Sequence, residues 1–271
     1  MSVTKTSLWL SVTSACLVSV ASTAGIIFKD TYARETTNWA AQAISQDIVN
    51  LVAVVVLLLA AYGANRGSLR AYLVWSGALL YLLYAYSIYA FDVHFNRFFL
   101  VYVAILGLSF YALVSSVIHL RLNDLTGYFA PTIPIRLLGV FFLVLGALFY
   151  LLWLREDVTA LLIGTIPPSV TQTNVPTNPV HVLDIGFYLP AMFITAWLLW
   201  RRHLWGYLLA GPLLVFSALM GTAILVIFLV TSSQGALATS GIEAFFAFIV
   251  VVSLALGVRF LRAVTPQGNL Q

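Results

Sequence analysis

Apolar runs of about 20 residues recur along this chain with mostly short polar breaks, and this recurrence limits its fold more than any other feature. A run of that length, wound as a helix, crosses the roughly 30 Å hydrocarbon core of a bilayer. Lipid offers the backbone no hydrogen-bond partners, so a crossing segment must satisfy its own amides, which a helix does. Eight such segments are legible, at about 8–28, 47–64, 70–91, 98–119, 135–154, 181–200, 205–230 and 241–262. Only 8% of the residues are charged and 62% are hydrophobic, with mean hydropathy +1.00. Soluble domains carry roughly 25% charged residues, so this chain cannot cover a water-facing surface. The expected fold is all-α: a single polytopic transmembrane bundle of about eight spans over residues 1–271, with the lipid bilayer as its first partner.

The charges sort by loop. With the N-terminus cytoplasmic, Lys5, Arg66, Arg70, Arg121, Arg136, Arg201, Arg202, Arg259 and Arg262 lie inside, with Asp124 as the sole acid. Outside fall Lys29, Arg34, Arg97 and Arg155, against Asp30, Glu35, Asp47, Asp92, Glu156, Asp157, Asp184 and Glu243. Short loops rich in Lys and Arg stay cytoplasmic, so both termini are expected inside. The net charge of +4 suggests no nucleic-acid partner, because the basic residues are scattered and form no patch. Cys16 is the only cysteine, which removes an internal disulfide and CxxC redox chemistry.

The first segment has a second reading. Lys5, a modest apolar run and Ser19-Val20-Ala21 resemble a signal peptide with a small-residue cleavage site, and cleavage there would leave seven helices. A lipoprotein reading at Cys16 is weaker, since Thr13 stands where a bulky aliphatic residue is expected. The run continues to Phe28, long enough to span, and an uncleaved first helix is the reading taken.

The polar residues gather near one end of the spans. The stretch LYLLYAYSIYAFDVHFNR from Leu80 carries a dense set of tyrosines into Asp92, His94, Asn96 and Arg97. Drawn as a helix, Gly77, Tyr81, Tyr84, Ile88, Tyr89 and Asp92 share a face. The favoured reading of these phenols is an interfacial aromatic belt; the sharper one is the wall of a polar pocket. Upstream, Glu35, Trp39, Gln42, Gln46 and Asn50 form a helical stripe that carries Gln46, Asp47 and Asn50 into the membrane edge, toward protein or a cavity. An interfacial helix anchored by Trp39, flat first and then turning inward, is the alternative.

The segment 155–180 reads as a long outside loop, with Thr159–Ile166 dipping back and a Pro/Thr/Asn coil after it. Asn178-Pro179 then starts a helix, with His181 and Asp184 one turn apart and Pro190 able to kink it below Asp184. An ionisable residue at that depth is a functional-site hypothesis. Gly211-Pro212 and Gly221 permit a kink and close packing. Ser240 and Glu243 fit a capping box, and His119 is expected to bond a nearby carbonyl.

These residues give a candidate ligand-binding set of Gln46, Asp47, Asn50, Tyr89, Asp92, His94, His181 and Asp184, in an outward-facing pocket. The leading expectation is binding or translocation of a small or lipid-like ligand. The first alternative is an intramembrane metal-dependent enzyme, with His94, His181, Asp92 and Asp184 as the ligand set of a zinc or iron site. The second is a subunit of a larger membrane complex, with protein partners unknown. No HExxH, GxSxG, Walker A or GxGxxG motif occurs, and the two lysines, Lys5 and Lys29, are not mid-span, so no retinal Schiff base is possible. Catalytic residues and cofactors stay unassigned, and the balance leans away from an enzyme.

The stretch from Gln46-Asp47 through Arg66-Gly-Ser-Leu-Arg70 and Tyr81–Asn96 to Phe99-Leu-Val-Tyr102 resembles a group of bacterial polytopic membrane proteins with no assigned activity. The resemblance covers the first half of the chain. It implies a bacterial inner-membrane setting and no chemistry.

Overall fold

The computed structural model describes residues 3–120, 122–233 and 240–264. Within them, eight helices are long and apolar enough to cross a membrane, and no strand is present. They are α1 (Lys5–Ile27), α2 (Thr37–Asn65), α3 (Leu69–Phe91), α4 (Phe99–Ile118), α5 (Ile135–Ile163), a span made of α7 (Pro179–Leu183) and α8 (Leu189–Trp200), α9 (Leu204–Ser233) and α10 (Ser240–Ala263). A short α6 (Pro168–Thr173) precedes α7. The starts follow from local chemistry: the hydroxyls of Thr4, Thr36 and Ser68 each accept the backbone N–H three residues on. Asn178 Oδ1 accepts from Val180 and His181, the cap its sequence implied.

Helices α1 to α4 pack as a group, α9 lies against α2 and α3, and α9 in turn carries α8 and α10 while α5 packs on α8. The most enclosed of the spans is α3. Its Gly77 lets α3 meet α9 closely, because a Cβ there would overlap the Pro212 carbonyl and Val215. On α1, the buried serines Ser7, Ser11, Ser14 and Ser22 recur at helical spacing and face protein. Ser11 accepts from Trp75 Nε1 (3.1 Å), Ser14 bonds Ser109 (3.1 Å) and Ser22 lies 3.3 Å from the Tyr86 hydroxyl. Close approach through small polar residues is how helices associate where lipid gives little hydrophobic drive.

The connections gather at two ends. At one, Arg70 Nε donates to the Val264 carbonyl (2.6 Å), and Phe129 pairs with Val264. This basic end is where His119 Nδ1 meets the Ser115 carbonyl at 2.7 Å, the local bond expected of it. At the acidic end, Arg34 donates to the Phe95 carbonyl (2.8 Å), Asn96 to that of Thr31 (3.3 Å) and Thr36 to that of Gln172 (3.0 Å).

Three sequence expectations change. The tyrosines of α3 are buried inside the bundle, so they are not an interfacial belt. Helix α2 runs unbroken from Thr37, so no flat helix turns inward at 46. Helix α5 continues through Arg155, Glu156 and Asp157 to Ile163, where Gly164 in the left-handed conformation (φ 73°) ends it. The loop expected from 155 therefore begins at 164. At 29 residues each, α2 and α5 are about 43 Å long at 1.5 Å per residue and exceed the hydrocarbon core. The expected capping box involves the Ser240 side chain, which lies outside the described residues; Glu243 stands in the first turn of α10.

Candidate functional site

A cavity of about 390 Å³ lies between α2, α3, α5, α6, α7, α9 and α10. Its size is at the low end of small-molecule sites. Asn38 and Gln172, both exposed, stand in its upper wall, while Gln46, Tyr84 and Asp184 mark its depth. The lining is mostly apolar and aromatic, and Asp184 is its one carboxylate among the described residues.

Asp184 is held by two neutral donors: Tyr84 Oη gives to Oδ1 (2.9 Å) and Trp153 Nε1 to Oδ2 (2.9 Å). The carboxylate is 8% exposed. It opens a π-helical turn over Asp184–Tyr188, which the expected proline kink did not foresee in form. The cause is local. Leu189 N–H reaches back to the Asp184 carbonyl instead of that of Ile185, and Pro190 has no N–H to offer the latter. Tyr150 Oη fills the gap by donating to the Ile185 carbonyl at 2.8 Å. Such π turns are frequent at functional sites, because they re-aim side chains within a helix.

His181 stacks on Trp153 (ring centroids 4.4 Å apart) and its Nδ1 lies 2.9 Å from Asp157 Oδ1. That pairing fixes Nδ1 as the protonated nitrogen. His181 Nε2 and Trp39 Nε1, from two lining residues, are buried with no partner in the protein. Gln46 also lines the cavity and donates to Tyr81 Oη (2.6 Å).

Four of the eight expected residues, Gln46, Tyr89, His181 and Asp184, line this cavity, and Asp47, Asn50, Asp92 and His94 do not. Asp47 sits behind the wall, 1% exposed, taking a hydrogen bond from Tyr32 Oη (2.6 Å) and sharing that of Tyr89 Oη (3.1 Å) with the nearer Ala43 carbonyl (2.9 Å). Burial, and then the neighbouring Asp47 carboxyl, hold the Tyr32 phenol well above its ordinary range, so it stays a donor. Helix α1 passes so close that a Cβ on Gly25 would overlap Asp47 Oδ2. Asn50, one turn further along α2, is fully buried beside Asp47.

The third carboxylate group lies in the connections. His94 binds Glu35 twice, through its backbone N–H to Oε1 (2.8 Å) and Nδ1 to Oε2 (2.9 Å). Asp92 has a buried Oδ2 without a partner. Burial, with Glu35 nearby, pushes Asp92 up to about 6, while His94 acts in the opposite direction.

The expected single pocket is therefore three separate sites. A six-residue arc on α3 spans about 140° between Tyr84 and Tyr89 at 100° per residue, and its two edges face different neighbours. The four possible metal ligands are not assembled either. His94 is engaged by Glu35 and His181 by Asp157, and no group of three His, Cys, Asp or Glu able to hold a metal occurs among the described residues. Glu35, Tyr32, Trp153 and Asp157 were missed as site residues; of these, only Glu35, on the stripe that runs into α2, gave any signal. Compared with known proteins, the chain matches no family model, no curated protein and no solved structure.

Proposed function

We propose that this is a multi-pass protein of a cell membrane, such as a bacterial inner membrane, that binds a small or lipid-like ligand in the Asp184 cavity and presents or passes it across the bilayer. Both termini face the cytoplasm and the acidic end faces outward, on the distribution of Lys and Arg among the short loops. One observation carries the reading: a 390 Å³ cavity in a membrane bundle, apolar over most of its wall, holds one buried and oriented carboxylate at its depth. A mostly apolar hollow with a few fixed polar groups is the usual form of a ligand site. A carboxylate within a span is costly, and one that lines a cavity is a candidate for use.

The test is native mass spectrometry of protein released from mild detergent, with Ile88→Trp and Ile224→Trp as variants that fill the cavity. The wild type retains a bound small molecule and both variants lose it. Equal retention by folded variants, or a wild type that retains nothing and is stabilised by no small molecule screened, overturns the reading.

A further inference from the structure

Resting on that ligand reading, we infer that the occupant is an organic cation with an apolar body, a substituted ammonium or a group of the same charge and shape. The rings of Trp39, Tyr84, Phe149, Trp153, Tyr188 and Phe246, from α2, α3, α5, the π turn and α10, line one hollow. Aromatic faces carry negative potential and attract a cation placed within about 6 Å. Asp184 stands among them, and no Lys or Arg lines the cavity among the described residues.

The hydrogen bonding of Asp184 points the same way. Tyr84 and Trp153 are neutral donors, so they orient the carboxylate without cancelling its charge, and each oxygen keeps lone-pair capacity. Among the described residues, the one other ionisable group in the wall besides the tyrosines, His181, is already paired with Asp157. An anionic ligand would bring its charge against Asp184 with no compensating cation. A neutral ligand would leave the buried carboxylate with only its two neutral donors to offset desolvation. A cation relieves both, and at the same end acidic residues outnumber the basic Lys29, Arg34, Arg97 and Arg155.

The probes are benzyltrimethylammonium, its neutral carbon isostere neopentylbenzene, and benzylsulfonate, titrated calorimetrically into the full chain in nanodiscs. The wild type is expected to bind the ammonium about tenfold or more tighter than the isostere, and not to bind the sulfonate. Asp184→Asn brings ammonium and isostere to within about threefold of each other by lowering the first alone. Phe149→Leu, which removes a ring and no charge, weakens the ammonium about threefold relative to the isostere and stands in should Asp184→Asn fail to fold. Equal wild-type affinity for ammonium and isostere, preference for the sulfonate, or an unchanged preference in both variants overturns the cation class and leaves the cavity reading standing. Binding of no probe overturns both.

Discussion

Asp47 and Asp184 are both buried aspartates of membrane-spanning helices, and both take a hydrogen bond from a tyrosine of α3. Their surroundings differ. Around Asp47 the chain closes in: Gly25 brings α1 into contact, and Tyr32 folds back to add a second phenol. Around Asp184 the helix loosens into a π turn and the wall opens on a cavity. A costly buried carboxylate is therefore not by itself the mark of a ligand site. At Asp47 it joins helices, and at Asp184 the same chemistry is held ready beside empty space.

The contrast is sharpest in stability. Replacing Asp47 with Ala leaves the Tyr32 hydroxyl without its acceptor in a sealed space, while Tyr89 keeps the Ala43 carbonyl, an expected loss of about 2–3 kcal/mol. Asp184→Ala strands Tyr84 and Trp153 beside a cavity that admits water, and a water bridge limits the loss to about 1 kcal/mol. Equilibrium unfolding of both variants in one detergent system measures the difference. Equal losses would break the distinction.

A smaller effect is expected at the π turn. Tyr150→Phe removes the donor of the Ile185 carbonyl and should cost about 1 kcal/mol. It should also weaken ligand retention, since the turn sets the position of Asp184. Hydrogen exchange across 184–189 reads the local loosening, and unchanged protection there would contradict the account of how the turn is held.

The smallest effect separates the connection cluster from both spans. Asp92 has its pKa raised from its ordinary value near 3.8 to about 6. The folded state therefore holds this proton more tightly than the unfolded chain does. The wild type loses stability as pH rises through the window from about 4 to 6, because charging Asp92 opposes burial and Glu35. Asp92→Asn should melt slightly higher than wild type at pH 8, and the gap should close by pH 4. A gap that widens on acidification would reverse the sign.

Much of the architecture was legible in the sequence, because apolar length answers directly to the bilayer. The Asn178 cap and the His119 carbonyl bond were legible too, since both are contacts between neighbours in sequence. Helix α5 was cut short at Leu154 because Arg155-Glu156-Asp157 ends the apolar run. No residue there breaks a helix, and the first that does is Gly164. The partition of polar residues among three sites was not legible. It depends on pairs such as Glu35 with His94 and Tyr84 with Asp184, which are 59 and 100 residues apart. Tyr32 and Trp153 carried no local signal, because a phenol or an indole near a membrane surface looks like an anchor until its partner is known.

The central claim is that Asp184 is open to a ligand while Asp47 is sealed behind the wall. A hydrophobic carbodiimide, which reacts with carboxyl groups it can reach in apolar surroundings, tests this on the wild-type chain in nanodiscs, with each adduct located by peptide mass spectrometry. The account predicts an adduct on Asp184, suppressed by benzyltrimethylammonium, and none on Asp47 while the protein is folded. Modification of Asp47 ahead of Asp184, or an Asp184 adduct indifferent to the ammonium, would contradict it.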